Sequence, residues 1–220
     1  MLINIFLGDW STAETFILIF VFLIAVTIAL VMHEWAHAFA AYKCGDPTAK
    51  LLGRMSINPA KHVEPTGLLM FLLAGIGWAK PVPVNPFNFR NYRKGNFWVS
   101  TAGVITNLII GFVASFFFAM IYHLAPNPNL ALWGLGMFFM FLMAINLSLM
   151  IFNLIPIYPL DGFNVLRSFT KPNNRYMLFM QQYGHIVLII VLIISMATRA
   201  IWYFVELLQT AFLGLWGLIF

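Results

Sequence analysis

Four stretches of roughly 20 or more mostly apolar residues, beginning near Thr12, Phe97, Leu130 and Gly184, constrain this chain more than anything else in it. A helix needs about 20 such residues to cross about 30 Å of hydrocarbon. The composition agrees: 62% of the 220 side chains are hydrophobic, 9% are charged and the mean hydropathy is +0.89, whereas soluble domains average about 45–50% apolar and 25% charged residues. The expected fold is therefore an all-α polytopic membrane protein, a bundle of about four to six transmembrane helices forming a single integral membrane domain over residues 1–220. The opening "MLINIFLGDW" has neither a basic start nor a small-residue cleavage site, so the first helix is expected to be retained. Cys44 is alone and forms no internal disulfide. It reads as a small residue at a helix end, with metal ligation as the second reading.

Charge placement sets the expected orientation. Between Lys43 and Lys94 stand eight Lys or Arg against Asp46 and Glu64, while the segment before the first span holds only Asp9 and Glu14. By the positive-inside rule the first helix runs toward the cytoplasm, the second returns to the uncharged turn "APNPN", and the third comes back in toward Arg167, Lys171 and Arg175. The basic excess belongs to topology, and no nucleic-acid partner is expected. The segment "TGLLMFLLAGIGWA", residues 66–79, is short for a span and has basic flanks, which favours a re-entrant segment. Around it, "GRMSINPAKHVEP" and "KPVPVNPFNFRN" carry repeated X-Pro pairs that oppose helix, so a short extended or β segment at the membrane is expected. The C-terminal stretch 184–220 is too long for one untilted span and is interrupted by Arg199 and Glu206; either a span with an interfacial helix or a tight hairpin satisfies it.

The chemistry lies in "VMHEWAHAFAA", residues 31–41. On a helix, His33 and His37 are separated by four residues and share a face, so both imidazoles can hold one ion with Glu34 beside them. With five His and four Glu in the chain, roughly 0.002 matches to H-E-x-x-H arise by chance. A hydrolytic zinc site keeps three protein ligands and leaves one position open. The third ligand must then reach the same depth as the histidines, and Asp161 in "NLIPIYPLDG" arrives on the same side at the end of an inward-running span. Pro156 and Pro159 should break that helix, and Gly162 permits a tight turn. Taken alone, Asp161 fits equally well as the cap of a helix beginning near Phe163; beside the histidine pair, the ligand reading is preferred.

These motifs resemble those of the site-2 proteases, intramembrane zinc metalloproteases: "HEWAH" matches the first family signature and "NLIPIYPLDG" the second, with Tyr158 where many members carry a further proline. "GRMSINPAKHVEPTG", "GWAKPVPVNP" and "AGVITN" resemble the compact prokaryotic-type branch without PDZ or CBS domains. The resemblance covers most of residues 30–165. It implies a Zn2+ site held by His33, His37 and Asp161, Glu34 as the catalytic base, a zinc-binding core over about 12–165, and cleavage within a transmembrane segment of a single-span membrane-protein substrate. It further suggests that Asn107 and Asn153 face the site and hold substrate. From spacing alone, Asn107 sits with Gly103, Gly111 and Ser115 on a small-residue face suited to helix packing. The location implied is the cell membrane, multi-pass, with the active site toward the cytoplasmic side, and a homo-oligomer is compatible. His62 reads as loop-stabilising, with a fourth metal ligand as the lesser reading; His123 and His185 read as interfacial. The rivals are an H-E-x-x-H protease drawing its third ligand from Glu64 or Glu206, a membrane metal transporter, and a non-catalytic zinc-binding membrane protein.

Overall fold

The computed structural model describes residues 8–67, 80–171 and 173–220. Helix α1 (Thr12–Cys44) begins where Ser11 and Glu14 cap each other: Glu14 N–H donates to Ser11 Oγ, and Ser11 N–H donates to the Glu14 carboxylate at 2.8 Å. It ends at Gly45, whose φ of 112° lies in the left-handed region, and a Cβ there would stand 3.0 Å from the Asn88 carbonyl. Thirty-three residues make a rod of about 50 Å, longer than the hydrocarbon it crosses. His33 and His37 therefore sit about three and two turns from its end, where the chain leaves the apolar run.

Asparagine starts three of the later helices. Asn91 caps α3 (Tyr92–Leu124), Asn129 caps α4 (Leu130–Leu154) and Asn174 caps α6 (Arg175–Thr198), each side-chain oxygen accepting a backbone N–H of the first turn. Between them lie the short helices α2 (Thr48–Leu51) and α5 (Asp161–Phe169); α7 (Ala200–Trp216) closes the order. Helices α1, α3, α4 and the Arg175–Ser195 part of α6 are long and apolar enough to cross a membrane. The protein is thus an all-α polytopic membrane protein.

Helices α1, α3 and α4 pack against one another as the central bundle. Lipid is as apolar as these side chains, so close van der Waals fit rather than exclusion of water holds them together. Small residues make that fit possible: Ala25 and Ala29 of α1 and Ala114 of α3 are buried with Phe22, Phe141 and Leu147, and Phe22 meets Phe141 edge-on at 5.3 Å. In the C-terminal stretch, α7 packs on this core through Val205 and Phe212, and Trp216 Nε1–H donates to Ser115 Oγ at 2.8 Å. It is a short apolar helix laid on the bundle. Helix α6 is held near its start, where Met177 and Met180 pack with Ile157 and Phe163, while Ile186, Ile189, Ile190, Ile193 and Ile194 stay exposed.

No strand occurs among the described residues, so the expected β pairing is not found there. Lys80–Asn85 is neither helix nor strand, and Pro81, Pro83 and Pro86 lack the N–H a ladder needs. Three of its four remaining N–H groups go elsewhere: Lys80 to the His62 carbonyl, Val82 to Glu34 and Asn85 to Asp46. The Arg54 guanidinium donates to the carbonyls of Lys80 and Pro81. Most of the expected re-entrant segment 66–79 lies outside the described residues.

Candidate metal centre

On α1 the rings of His33 and His37 lie with centroids 4.5 Å apart, and their Nε2 atoms are 3.0 Å from each other. Asp161 Oδ2 stands 3.3 Å from both. One turn of α1 supplies two ligand atoms, and the break between α4 and α5 supplies the third. Helix α4 stops at Leu154, two residues before Pro156, and α5 begins at Asp161 with no side-chain cap bond at its start. Asp161 is thus the first helical residue, and its carboxylate turns to the histidines instead of capping. Gly162 lets α5 start directly on the end of α4, because a Cβ there would run into the carbonyls of Leu154 and Ile155.

Each imidazole is oriented from behind. His37 Nδ1 lies 2.7 Å from the carbonyl of Val99, which only accepts, so this nitrogen carries a hydrogen, and in the neutral ring Nε2 carries the lone pair. His33 Nδ1 lies 3.2 Å from Asn107 Oδ1 and donates to it in the same sense. With both rings neutral, the form in which imidazole binds a metal, the two Nε2 lone pairs and the Asp161 oxygen face one another with no hydrogen among them. That arrangement is repulsive until a cation sits between them. The spacing fits as well: a tetrahedral ion with bonds of about 2.0–2.1 Å separates its ligands by about 3.3–3.4 Å. The group His33, His37 and Asp161 meets metal-binding geometry, and nitrogen, nitrogen and carboxylate oxygen suit zinc.

Helix α3 approaches these rings without an intervening side chain. A Cβ on Gly103 would lie 2.5 Å from His33 Cε1 and 2.6 Å from His37 Nε2. Gly103, Asn107, Gly111 and Ser115 form one buried seam along α3, and its inner end is pressed against the rings of His33 and His37. Asn107 is fully buried; its carbonyl serves His33, while its Nδ2 has no partner among the described residues.

Glu34 projects toward an opening. Its carboxylate accepts the Val82 N–H at 2.9 Å. A cavity of about 360 Å³ is lined by His33, Glu34, His37 and Asp161 together with Val82, Val84, Asn96, Ser100, Asn153, Asn164 and Arg167. Asn153 thus reaches the same space, with one amide hydrogen committed to the Leu149 carbonyl of its own helix. Asn96 Nδ2 donates to the Asn164 carbonyl at 2.6 Å and to Ser168 Oγ at 2.8 Å, which ties α5 to α3. Spacing and motifs pointed to none of Asn96, Ser100, Asn164 or the Val82 N–H, and gave Arg167 only as a charge that sets the topology. A signal for two of them existed: Asn96 and Ser100 continue the Gly103–Asn107 face backward at helical spacing. The Val82 contact depends on a loop's tertiary path and left no such mark.

The other candidates stand apart. His62 is buried, its Nε2–H donates to the Ser56 carbonyl at 2.6 Å and its own carbonyl holds Lys80 N–H, so it braces the loop and lies outside the three-residue metal group. The Cys44 carbonyl accepts from Arg90 N–H at the helix end, and Cys44 is likewise outside the group. His123 stacks near Phe220, and His185 meets the Tyr158 ring.

Comparison with known proteins agrees with this geometry. The model for peptidase family M50 matches residues 119–198, which include Asp161. Three similar proteins carry the name "Putative zinc metalloprotease". YwhC of Bacillus subtilis is 38% identical over 200 residues, 90% of this chain and 91% of its own. Rip2 of Mycolicibacterium smegmatis is 27% identical over 212 residues, 89% and 76% of the two chains, and Rip2 of Mycobacterium tuberculosis is 28% identical over 183 residues, 80% and 67%. No solved structure matches significantly. With a relative this similar along nearly its whole length, the chain belongs to peptidase family M50, the site-2 proteases, and is a membrane metallopeptidase.

Proposed function

We propose that the protein is a zinc endopeptidase that hydrolyses peptide bonds within the transmembrane segments of single-span membrane proteins, from a site toward the cytoplasmic face of the cell membrane. The observation that carries this reading is the convergence of His33, His37 and Asp161 beside a Glu34 carboxylate that opens on a polar cavity. His33 Nε2, His37 Nε2 and Asp161 Oδ2 would hold the ion. When bound, zinc polarises the scissile carbonyl and makes water acidic enough to attack near neutral pH.

The chain's own groups do the rest. Glu34 takes the proton of the attacking water on a carboxylate oxygen and returns it to the departing amine nitrogen. The Val82 N–H holds that carboxylate in place. Asn107 and the Val99 carbonyl keep the imidazole lone pairs turned inward. Asn153 retains one amide hydrogen and its carbonyl beyond its helix bond, which suits it to a substrate peptide group. A helical substrate hides its carbonyls and must be unwound first; the Lys80–Asn85 segment along the cavity offers a wall for an unwound strand.

The test is to purify the chain in detergent, measure bound metal, and compare wild type with Glu34→Gln on single-span substrates. Metal retained with cleavage lowered about 10²–10⁴-fold is the expected result. Equal processing by both removes Glu34 from the chemistry, and Glu34-independent zinc uptake into sealed vesicles assigns the site to transport.

A further inference from the structure

Among the described residues, Arg167 is the one Lys or Arg on the wall of the cavity beside His33, His37 and Asp161. It is exposed, and among the described residues no carboxylate pairs with it and no acceptor takes its guanidinium hydrogens. The cavity's own acids are committed, Glu34 to the Val82 N–H and Asp161 to the histidines. From the α3 side, the guanidinium stands 6.0 Å from the centre of the Tyr92 ring, at the limit of a cation–π contact. Its helix is fixed by the Asn96 bonds to Asn164 and Ser168. A positive group with five donors thus faces the cleft on a rigid support, without an internal partner.

We propose that Arg167 is a specificity-determining residue that pairs with an acidic side chain of the substrate. The proposal rests on the proteolytic reading above. Six helical residues separate it from Asp161, a rise of about 9 Å. An extended peptide advances about 3.3 Å per residue, so the paired position lies about two to four residues from the bond cleaved. Guanidinium and carboxylate match as a two-pronged pair, which gives orientation as well as attraction. No other Lys or Arg among the described residues lines the cavity, so Arg167 sets the sign of its wall. Such a field draws acidic segments in and disfavours basic ones.

The experiment uses the full chain in proteoliposomes and one single-span substrate, in which each position within about four residues of the scissile bond carries Asp, Ala or Lys in turn. Wild type is expected to prefer Asp over Ala at one position by about fivefold in kcat/KM, chiefly through KM, and to disfavour Lys there. Arg167→Glu should reverse the order at that position, and Arg167→Gln should flatten it, both with unchanged zinc content. Indifference of the wild type at every position overturns the proposal, as does a loss in Arg167→Glu that is equal for all three substrates. A charge effect that follows the anionic-lipid content of the vesicles instead of the substrate residue also overturns it and assigns Arg167 to the membrane surface. If no substrate is cleaved in a Glu34-dependent manner, the proteolytic reading fails and takes this one with it; charge-blind but Glu34-dependent cleavage removes this one alone.

Discussion

Gly103 shows how little space the metal-binding rings leave. With His33 and His37 atoms 2.5–2.6 Å from the point where a Cβ would sit, Gly103→Ala must displace either α3 or the rings. Overpacking of this kind costs about 1–3 kcal/mol, and here the displaced groups are the proposed ligands. Zinc affinity is expected to fall about tenfold or more, measurable by competition with a chromogenic chelator, while Gly111→Ala, whose Cβ would meet flexible Leu147 at 3.1 Å, should leave it near the wild-type value. The spacing of Gly103, Asn107, Gly111 and Ser115 was visible in the sequence as a seam. What the seam touches was not. A four-residue repeat states that residues share a face and is silent on which neighbour that face meets, so spacing gave Asn107 a place in helix packing and only the structure shows it against His33 Nδ1.

At the scale of elements, the Lys80–Asn85 wall of the cavity depends on Asp46, just past the end of α1. Its carboxylate is fully buried and accepts the N–H groups of Thr48 and Asn85, the Thr48 hydroxyl and the Asn88 amide. Burial alone would raise this carboxyl, but those hydrogen bonds outweigh it and hold it below its ordinary value. A group whose value is lower folded than unfolded stabilises the fold above its unfolded value, about 3.9, and loses that contribution as pH falls through the lower folded value. Asp46→Ala should therefore destabilise the protein near neutral pH, with the difference from wild type shrinking below about pH 4; thermal unfolding across pH reads it directly. The same substitution should free Asn85 and slacken the Val82 contact with Glu34, lowering kcat with metal content intact. Repeated X-Pro pairs marked this stretch as non-helical. Its anchoring escaped notice because Asp46, Asn85 and Asn88 are ordinary turn residues until the fold places them together.

At the scale of the molecule, an ion held as proposed by His33, His37 and Asp161 would tie α1 to α5 across the cavity, joining two parts of the chain more than a hundred residues apart. A ligand that binds only the folded state stabilises it by about 2.7 kcal/mol at a hundredfold excess over its dissociation constant. For a chain of this size that corresponds to about 5–10 °C. Chelation is expected to lower the unfolding temperature by that amount, zinc to restore it, and Asp161→Ala to abolish the response; an unchanged temperature on chelation would mean that the three side chains do not share an ion.

The apolar runs, the helical spacing of His33, Glu34 and His37, and the proline break ahead of Asp161 were enough to specify a helical membrane protein and to name, on two segments, the side chains that the fold brings together. Solvent and backbone geometry act locally, so residue type and periodicity carry them. Tertiary structure alone decided that Asp161 starts a helix without capping it, that a glycine of α3 backs both imidazoles, that Val82 holds Glu34, and that Arg167 faces the cleft. These are contacts between segments far apart in sequence, and their energies depend on separations of a few tenths of an ångström that only the packed helices define.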